Sequence, residues 1–148
     1  MTRYRLHDSL GYNLSLASRI QERRLDEGLR TLGLTRTTWC ILLAVGNEGL
    51  HQPSDIALFV GIDRTATSRA LRKMEGDGLV RRATGPGDRR TTKVTLTDSG
   101  VALIERGTRF AIANNAVMHK KLGPEDVAHL KDLLERVNAG EKTGLAVL

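Results

Sequence analysis

Residues Asp63 to Asp77 form a helical pattern with two faces of opposite chemistry, and few folds can use such a helix. Thr67, Ala70, Leu71 and Met74 make a narrow apolar stripe, whereas Thr65, Ser68, Arg69 and Arg72 repeat at i, i+3, i+4 and i+7 as a wholly polar one. One stripe packs; the other is offered to something outside. Asp63 reads as the N-cap, Gly78 as the residue after the C-cap, and Leu79 folds back onto the helix. Two β-prone runs follow, Leu79 to Thr84 and Thr91 to Leu96. The segment Gly85-Pro86-Gly87-Asp88-Arg89-Arg90 joins them, which predicts a hairpin with a loop longer than two residues and arginines at its tip.

Around this centre the remaining sequence is helical. Leu6, Leu10, Leu14 and Ala17, continued by Ile20, Leu25 and Leu29, predict a first helix from about Leu6 to Leu32, stopped by Gly33. Thr35 caps a second, carrying Trp39, Leu42, Leu43 and Gly46 on one side. Gln52-Pro53-Ser54-Asp55 reads as the start of a short third helix, with Ser54 or its neighbour as cap and Ile56, Ala57 and Val60 turned inward. Gly61-Ile62 turns into the two-faced helix. After the hairpin, Thr97 opens a long helix to about Leu122, and Gly123-Pro124 starts a last one lined by Val127, Leu130, Leu134 and Val137.

Charge follows the same centre. Residues 62 to 97 hold nine Lys/Arg against four acids, a net +5 out of +6 for the whole 148-residue chain. A local positive patch on a helix and the hairpin behind it suits the phosphate backbone of duplex DNA. A short helix, a glycine turn, a helix with an exposed Arg/Ser/Thr stripe and a basic hairpin together predict a winged helix-turn-helix in a mainly α fold. Contacts to DNA are expected from Arg64, Thr65, Thr67, Ser68, Arg69 and Arg72, with Thr67 counted although it also belongs to the apolar stripe. Ser54, at the helix start before the turn, and Asp88, Arg89 and Arg90 in the wing complete the expected set. Arginine reaches guanine or phosphate oxygens in bidentate fashion, and an arginine at the wing suits the negative potential of a minor groove. Asp88 is expected to hold one of the neighbouring guanidinium groups extended.

Other chemistries find little support. The lone Cys40 excludes an internal disulfide, and its place beside Trp39 and Ile41 fits a small buried hydrophobe better than a reactive thiol. His7, His51, His119 and His129 are scattered without carboxylates at ligand spacing, so no metal or other cofactor is expected. Gly85-Pro86-Gly87 lacks the Gly-Lys-Ser/Thr ending of a nucleotide loop, and no nucleophile–base arrangement suggests an enzyme. No apolar run approaches the ~20 residues of a membrane span. The expectation is a cytoplasmic protein.

The chain resembles the MarR (multiple antibiotic resistance regulator) family over nearly its whole length. The residues carrying the likeness are Leu34-Thr35-x-x-x-Trp39, Gly61-Ile62-Asp63, Leu71-x-x-Met74-Glu75-x-x-Gly78-Leu79-Val80, Asp88-Arg89-Arg90 and Val94-x-Leu96-Thr97-x-x-Gly100, in this order. The resemblance implies a homodimeric regulator in which the first and last helices (residues 1–33 and 98–148) build the dimer and residues 34–97 form the DNA-binding lobe. It implies a repressor released from a pseudo-palindromic operator by a small ligand, with Arg90 as the minor-groove arginine. It also implies an effector pocket near Tyr12 and Trp39, taking a small phenolic or carboxylate-bearing compound. Two alternatives stay open: a winged-helix module that coats DNA without sequence preference, and one whose basic surface docks an acidic protein.

Overall fold

The computed structural model describes residues 3–85 and 92–141. A single 3₁₀ turn, Leu6–Asp8, leads into α1 (Leu10–Arg30), followed by α2 (Arg36–Gly46), α3 (Pro53–Val60), α4 (Arg64–Gly76), β1 (Val80–Thr84), β2 (Thr92–Leu96), α5 (Asp98–Leu122) and α6 (Pro124–Asn138). The two strands pair antiparallel, with Val80 opposite Leu96 and Thr84 opposite Thr92. Chain order and connectivity are those expected of a winged helix-turn-helix flanked by long helices.

Local chemistry explains the element ends. Thr35 and Thr38 form a reciprocal capping box at the start of α2: each hydroxyl accepts the other's backbone N–H, at 3.2 and 2.9 Å. The Asp63 carboxylate takes the Ala66 N–H at 2.7 Å, and Thr97 Oγ1 takes that of Gly100 at 3.1 Å. Gly61 ends α3 with φ +81°, a left-handed conformation that a side chain would oppose, and this turn sends Ile62 back into the core.

Two boundaries differ from the sequence expectation. The first helix does not run unbroken from Leu6, because Ser9 adopts an extended conformation and its hydroxyl caps α1 by accepting from Tyr12 N. Ser54 does not cap α3; Gln52 stands at the N-cap without a side-chain bond, and Pro53 fills the first helical position.

The core lies between α2, α3, α4 and the inner face of the hairpin. Ile41, Leu42, Ile56, Leu71, Met74, Val80 and Val94 are at most 2% exposed, and Leu29 from the end of α1 closes the cluster. The long helices attach through close approaches. A Cβ on Gly107 of α5 would overlap the Trp39 indole, and one on Gly28 of α1 would overlap the Phe110 ring. Buried Asn114 joins α5 to α1 as well, accepting from Arg24 at 3.1 Å and donating to Gln21 at 3.2 Å.

By contrast, α6 buries none of its residues. Leu6, Leu10, Leu16 and Ile20 at the start of the chain, Val101, Ile112, Val117 and Leu122 on α5, and Leu130, Leu133, Leu134 and Val137 on α6 are all exposed. That is far more apolar surface than scattered surface residues account for.

Gly107→Val should lower stability by about 1–3 kcal/mol, because the indole has nowhere to retreat in a close-packed junction. Gly76→Ala, where an added methyl meets nothing within 4 Å, should leave stability unchanged or raise it by up to about 1 kcal/mol. Urea unfolding of the two variants beside the parent chain separates these outcomes.

Candidate nucleic-acid interface

α4 is held on one face and bare on the other. Thr67, Leu71 and Met74 are buried, while Arg64, Thr65, Ser68, Arg69 and Arg72 together line a shallow concavity of about 360 Å³ on the outer side. Among the described residues, Arg64, Arg69 and Arg72 make no ion pair, whereas Lys73 spends its charge on Asp77 at 2.6 Å. Three guanidinium groups therefore project from one helical face without an ion-pair partner among the described residues.

Thr67 is a correction to the expected contact set. It is 1% exposed and its hydroxyl donates to the Asp63 carbonyl at 2.9 Å, so it belongs to the packed stripe and cannot reach a ligand on the opposite face. Ser54 is exposed at the start of α3 and joins Gln52, Pro53, Arg64, Ser68 and Thr92 around a second hollow of about 310 Å³. Gln52 and Thr92 are additions to the expected set. Their signal is faint in sequence: Gln52 immediately precedes the Pro-Ser helix start, and Thr92 opens the second strand. Asp88, Arg89 and Arg90 lie outside the described residues.

Arg82 belongs to the basic segment but not to its outward face. It sits on the same side of the hairpin as core residues Val80 and Val94, and its charge is matched internally. Its Nε and Nη2 donate to one Glu75 oxygen at 2.9 and 2.6 Å, and its backbone N–H donates to the other at 3.2 Å. Glu75 comes from the last turn of α4, so this ion pair fastens the wing to the two-faced helix.

Tyr12 and Trp39, both expected near an effector pocket, lie at separate places within the chain. Tyr12 stacks on His7, ring centroids 4.7 Å apart, in the first turn of α1. Trp39 lies against Gly107, near the level of Gly28 and Phe110. Sixteen residues of helix separate Tyr12 from Gly28, about 24 Å at about 1.5 Å per residue. The Trp39 indole N–H is buried and lacks a hydrogen-bond acceptor among the described residues. Cys40, half-buried next to it, has its thiol pKa pushed up by burial, with Arg36 opposing this only in part. Burial keeps the thiol protonated and disfavours nucleophilic chemistry.

A helix pair packed on the core by one face each and joined by a glycine turn, a bare cationic face on the second helix and a hairpin fastened behind it define a winged helix-turn-helix protein of the transcription-regulator class. Comparisons with known proteins narrow the class. Residues 32–91 match the model of the MarR family. The HTH-type transcriptional regulator PecS of Dickeya dadantii is 31% identical over 127 residues, spanning 84% of this chain and 76% of PecS. A cysteine-to-serine mutant of MarR from E. coli, solved in complex with operator DNA, superposes with a TM-score of 0.79 at 26% identity, over 86% of this chain and 92% of that one. BpsR of Bordetella bronchiseptica shares the fold, with a TM-score of 0.84 at 22% identity over 95% and 100% of the two chains. The chain belongs to the MarR family of transcriptional regulators.

The Arg82 side chain, through its hydrogen bonds, holds the Glu75 carboxyl below the usual carboxylate range, overcoming the opposing effect of burial. A carboxylate depressed in the folded state contributes stability above its unfolded pKa, and that stability is lost as pH falls through the folded value. Glu75→Gln should therefore be less stable than the parent at pH 7. The gap should close on acidification below about pH 4, the unfolded carboxylate range, as followed by denaturant unfolding across pH. A gap that widened in acid would contradict this account of the ion pair.

Proposed function

We propose that the chain is a homodimeric, sequence-specific DNA-binding repressor, released from a pseudo-palindromic operator by a small ligand. The observation that carries the DNA part is the exposed face of α4 on which Arg64, Arg69 and Arg72 stand around Thr65 and Ser68, without an ion pair among the described residues. Short hydroxyl side chains let the helix approach base edges, and the guanidinium groups reach guanine N7 and O6 or phosphate oxygens. Ser54, at the N-terminus of α3, lines a hollow with Arg64 and Ser68 and would meet a phosphate beside the same groove. Arg89 and Arg90 are assigned to the flanking backbone and minor groove, and Asp88 to orienting one of them. A MarR relative solved with operator DNA supports this reading.

The dimer rests on uncovered apolar surface. Leu10, Leu14, Leu130, Leu133, Leu134 and Val137 line a groove of about 450 Å³ between the start of α1 and α6. A second copy of residues 1–33 and 98–148 would cover it, and twofold symmetry would set the two α4 helices about one DNA turn apart. This leaves residues 34–97 as the DNA-binding lobe of each subunit, in a protein that works in the cytoplasm and needs no cofactor.

Ligand release has a narrower basis. BpsR has its DNA binding regulated by 6-hydroxynicotinic acid, and here the unpartnered Trp39 N–H would suit a carboxylate or phenolate acceptor. Because the indole lies flush on Gly107, such a ligand would have to part α2 from α5. That movement would shift the DNA-binding lobe relative to the dimer base and weaken operator binding.

Selection of binding sites from random duplex DNA at near-physiological salt should enrich an inverted repeat with half-sites about ten base pairs apart. Arg69→Glu should then abolish specific binding, whereas Arg72→Ala should weaken all sequences alike and reduce the salt slope by about 1. Retained operator affinity in Arg69→Glu would overturn the assignment of this face. Binding without an enriched motif would favour a DNA-coating protein.

A further inference from the structure

The hairpin has only two strands, and an isolated two-stranded sheet is marginal in water. Val80 and Val94 seat its inner face on the core, and contacts on its two open edges add to its orientation. At the central rung, where Arg82 faces Val94, those edges are both occupied. On the β1 edge the Arg82 backbone N–H and guanidinium donate to the Glu75 carboxylate. On the β2 edge the Val94 N–H donates to the His51 carbonyl at 2.8 Å, and the Val94 carbonyl lies 2.8 Å from His51 Nδ1. A carbonyl can only accept, so Nδ1 carries the proton. In this way the imidazole stands in for the backbone N–H that a third strand would offer.

The register agrees with this arrangement. Backbone groups at the Arg82–Val94 rung point outward, so the alternation of an antiparallel ladder places the cross-strand bonds on the neighbouring rungs, Arg81–Thr95 and Ala83–Lys93. Thr97 N donates to Leu79 O at 3.1 Å, a rung of the same parity. The hairpin is thus gripped at its middle by one side chain from the end of α4 and another from the segment before α3, the two ends of the helix-turn-helix unit. Its last described rung, Thr84–Thr92, lies two residues farther out, about 7 Å. A tilt about the grip moves everything the hairpin carries.

We infer that His51 and Glu75 are positioning residues that fix the wing relative to α4, and so set how strongly the protein discriminates sequence flanking the half-site contacted by α4. The inference rests on the DNA-binding reading given above. It does not require either residue to touch DNA.

The test uses the full-length protein and the enriched binding site. His51→Leu removes the donor, whereas His51→Asn keeps one, since an asparagine Nδ2 can occupy the place of imidazole Nδ1. In the free protein, amide exchange at Ala83 and Lys93 should accelerate roughly three- to tenfold in His51→Leu, the equivalent of one net hydrogen bond, and return towards the parent rate in His51→Asn. Glu75→Ala should accelerate the same amides. On DNA, the leucine and alanine variants should lose most of the discrimination between matched and altered flanks. They should keep the parent's discrimination within the half-site, and the asparagine variant should regain the flank preference.

Unchanged ladder exchange in His51→Leu would overturn the grip itself. Faster exchange with intact flank discrimination would overturn its role in specificity. Loss of flank and half-site discrimination in equal measure, without rescue by asparagine, would show that His51 merely supports the fold. Parent protein that enriches no sequence would overturn the sequence-specific reading, and the specificity role with it, while the exchange data would still decide the grip.

Discussion

Everything about this molecule follows from having to hold one helix firmly by half its circumference. α4 buries Thr67, Leu71 and Met74 in the core, with Ala66 and Ala70 packed at its margin, and leaves the opposite face bare. Such a narrow stripe orients a helix only if its neighbours cannot shift. The surroundings meet that need with near-complete burial: Ile41, Leu42, Ile56 and Val80 leave no slack, and Thr67 adds a hydrogen bond back to Asp63 at the helix start. Dense packing turns a few apolar contacts into a defined direction.

The same logic extends outward to the long helices. α5 reaches the lobe through Gly107 and Gly100, positions without a Cβ, so the Trp39 indole and the Leu79 carbonyl can lie against its backbone. Interlocking of this kind resists sliding, since helices in contact at glycine have little room to move past one another. α6 and the start of α1 lack any such lock and expose leucines. Their sequence pattern makes sense only when a further apolar surface covers them.

Legibility in the sequence divides along the distance over which each interaction acts. Caps depend on residues three apart, so Thr35, Asp63 and Thr97 can be read directly and stand where their chemistry puts them. The polar stripe of α4 is equally plain from its spacing. Ser9 escapes notice because the apolar period runs straight through it, and a local cap outcompetes the period. Side-chain propensity favours Ser54 over Gln52 as a cap, although a proline at the first helical position fixes the boundary whatever precedes it. Thr67 fits two assignments in sequence, and burial decides between them. Tyr12 and Trp39 cannot be placed relative to one another from sequence, since their separation depends on how α1 crosses α5, which no local pattern encodes. Likewise, the pairing of Arg82 with Glu75 hides inside a run of basic residues that looks uniformly outward.

Two parts of one DNA-facing surface are thus held by different physics. The orientation of α4 comes from apolar packing, which neither salt nor moderate pH alters much. The hairpin is seated on the core by Val80 and Val94, and its edges are held by a partly exposed ion pair to Glu75 and by hydrogen bonds to His51. Polar contacts at that degree of exposure are screened by salt and compete with water. It follows that the wing is the element whose placement responds first to solution conditions, while α4 keeps its geometry.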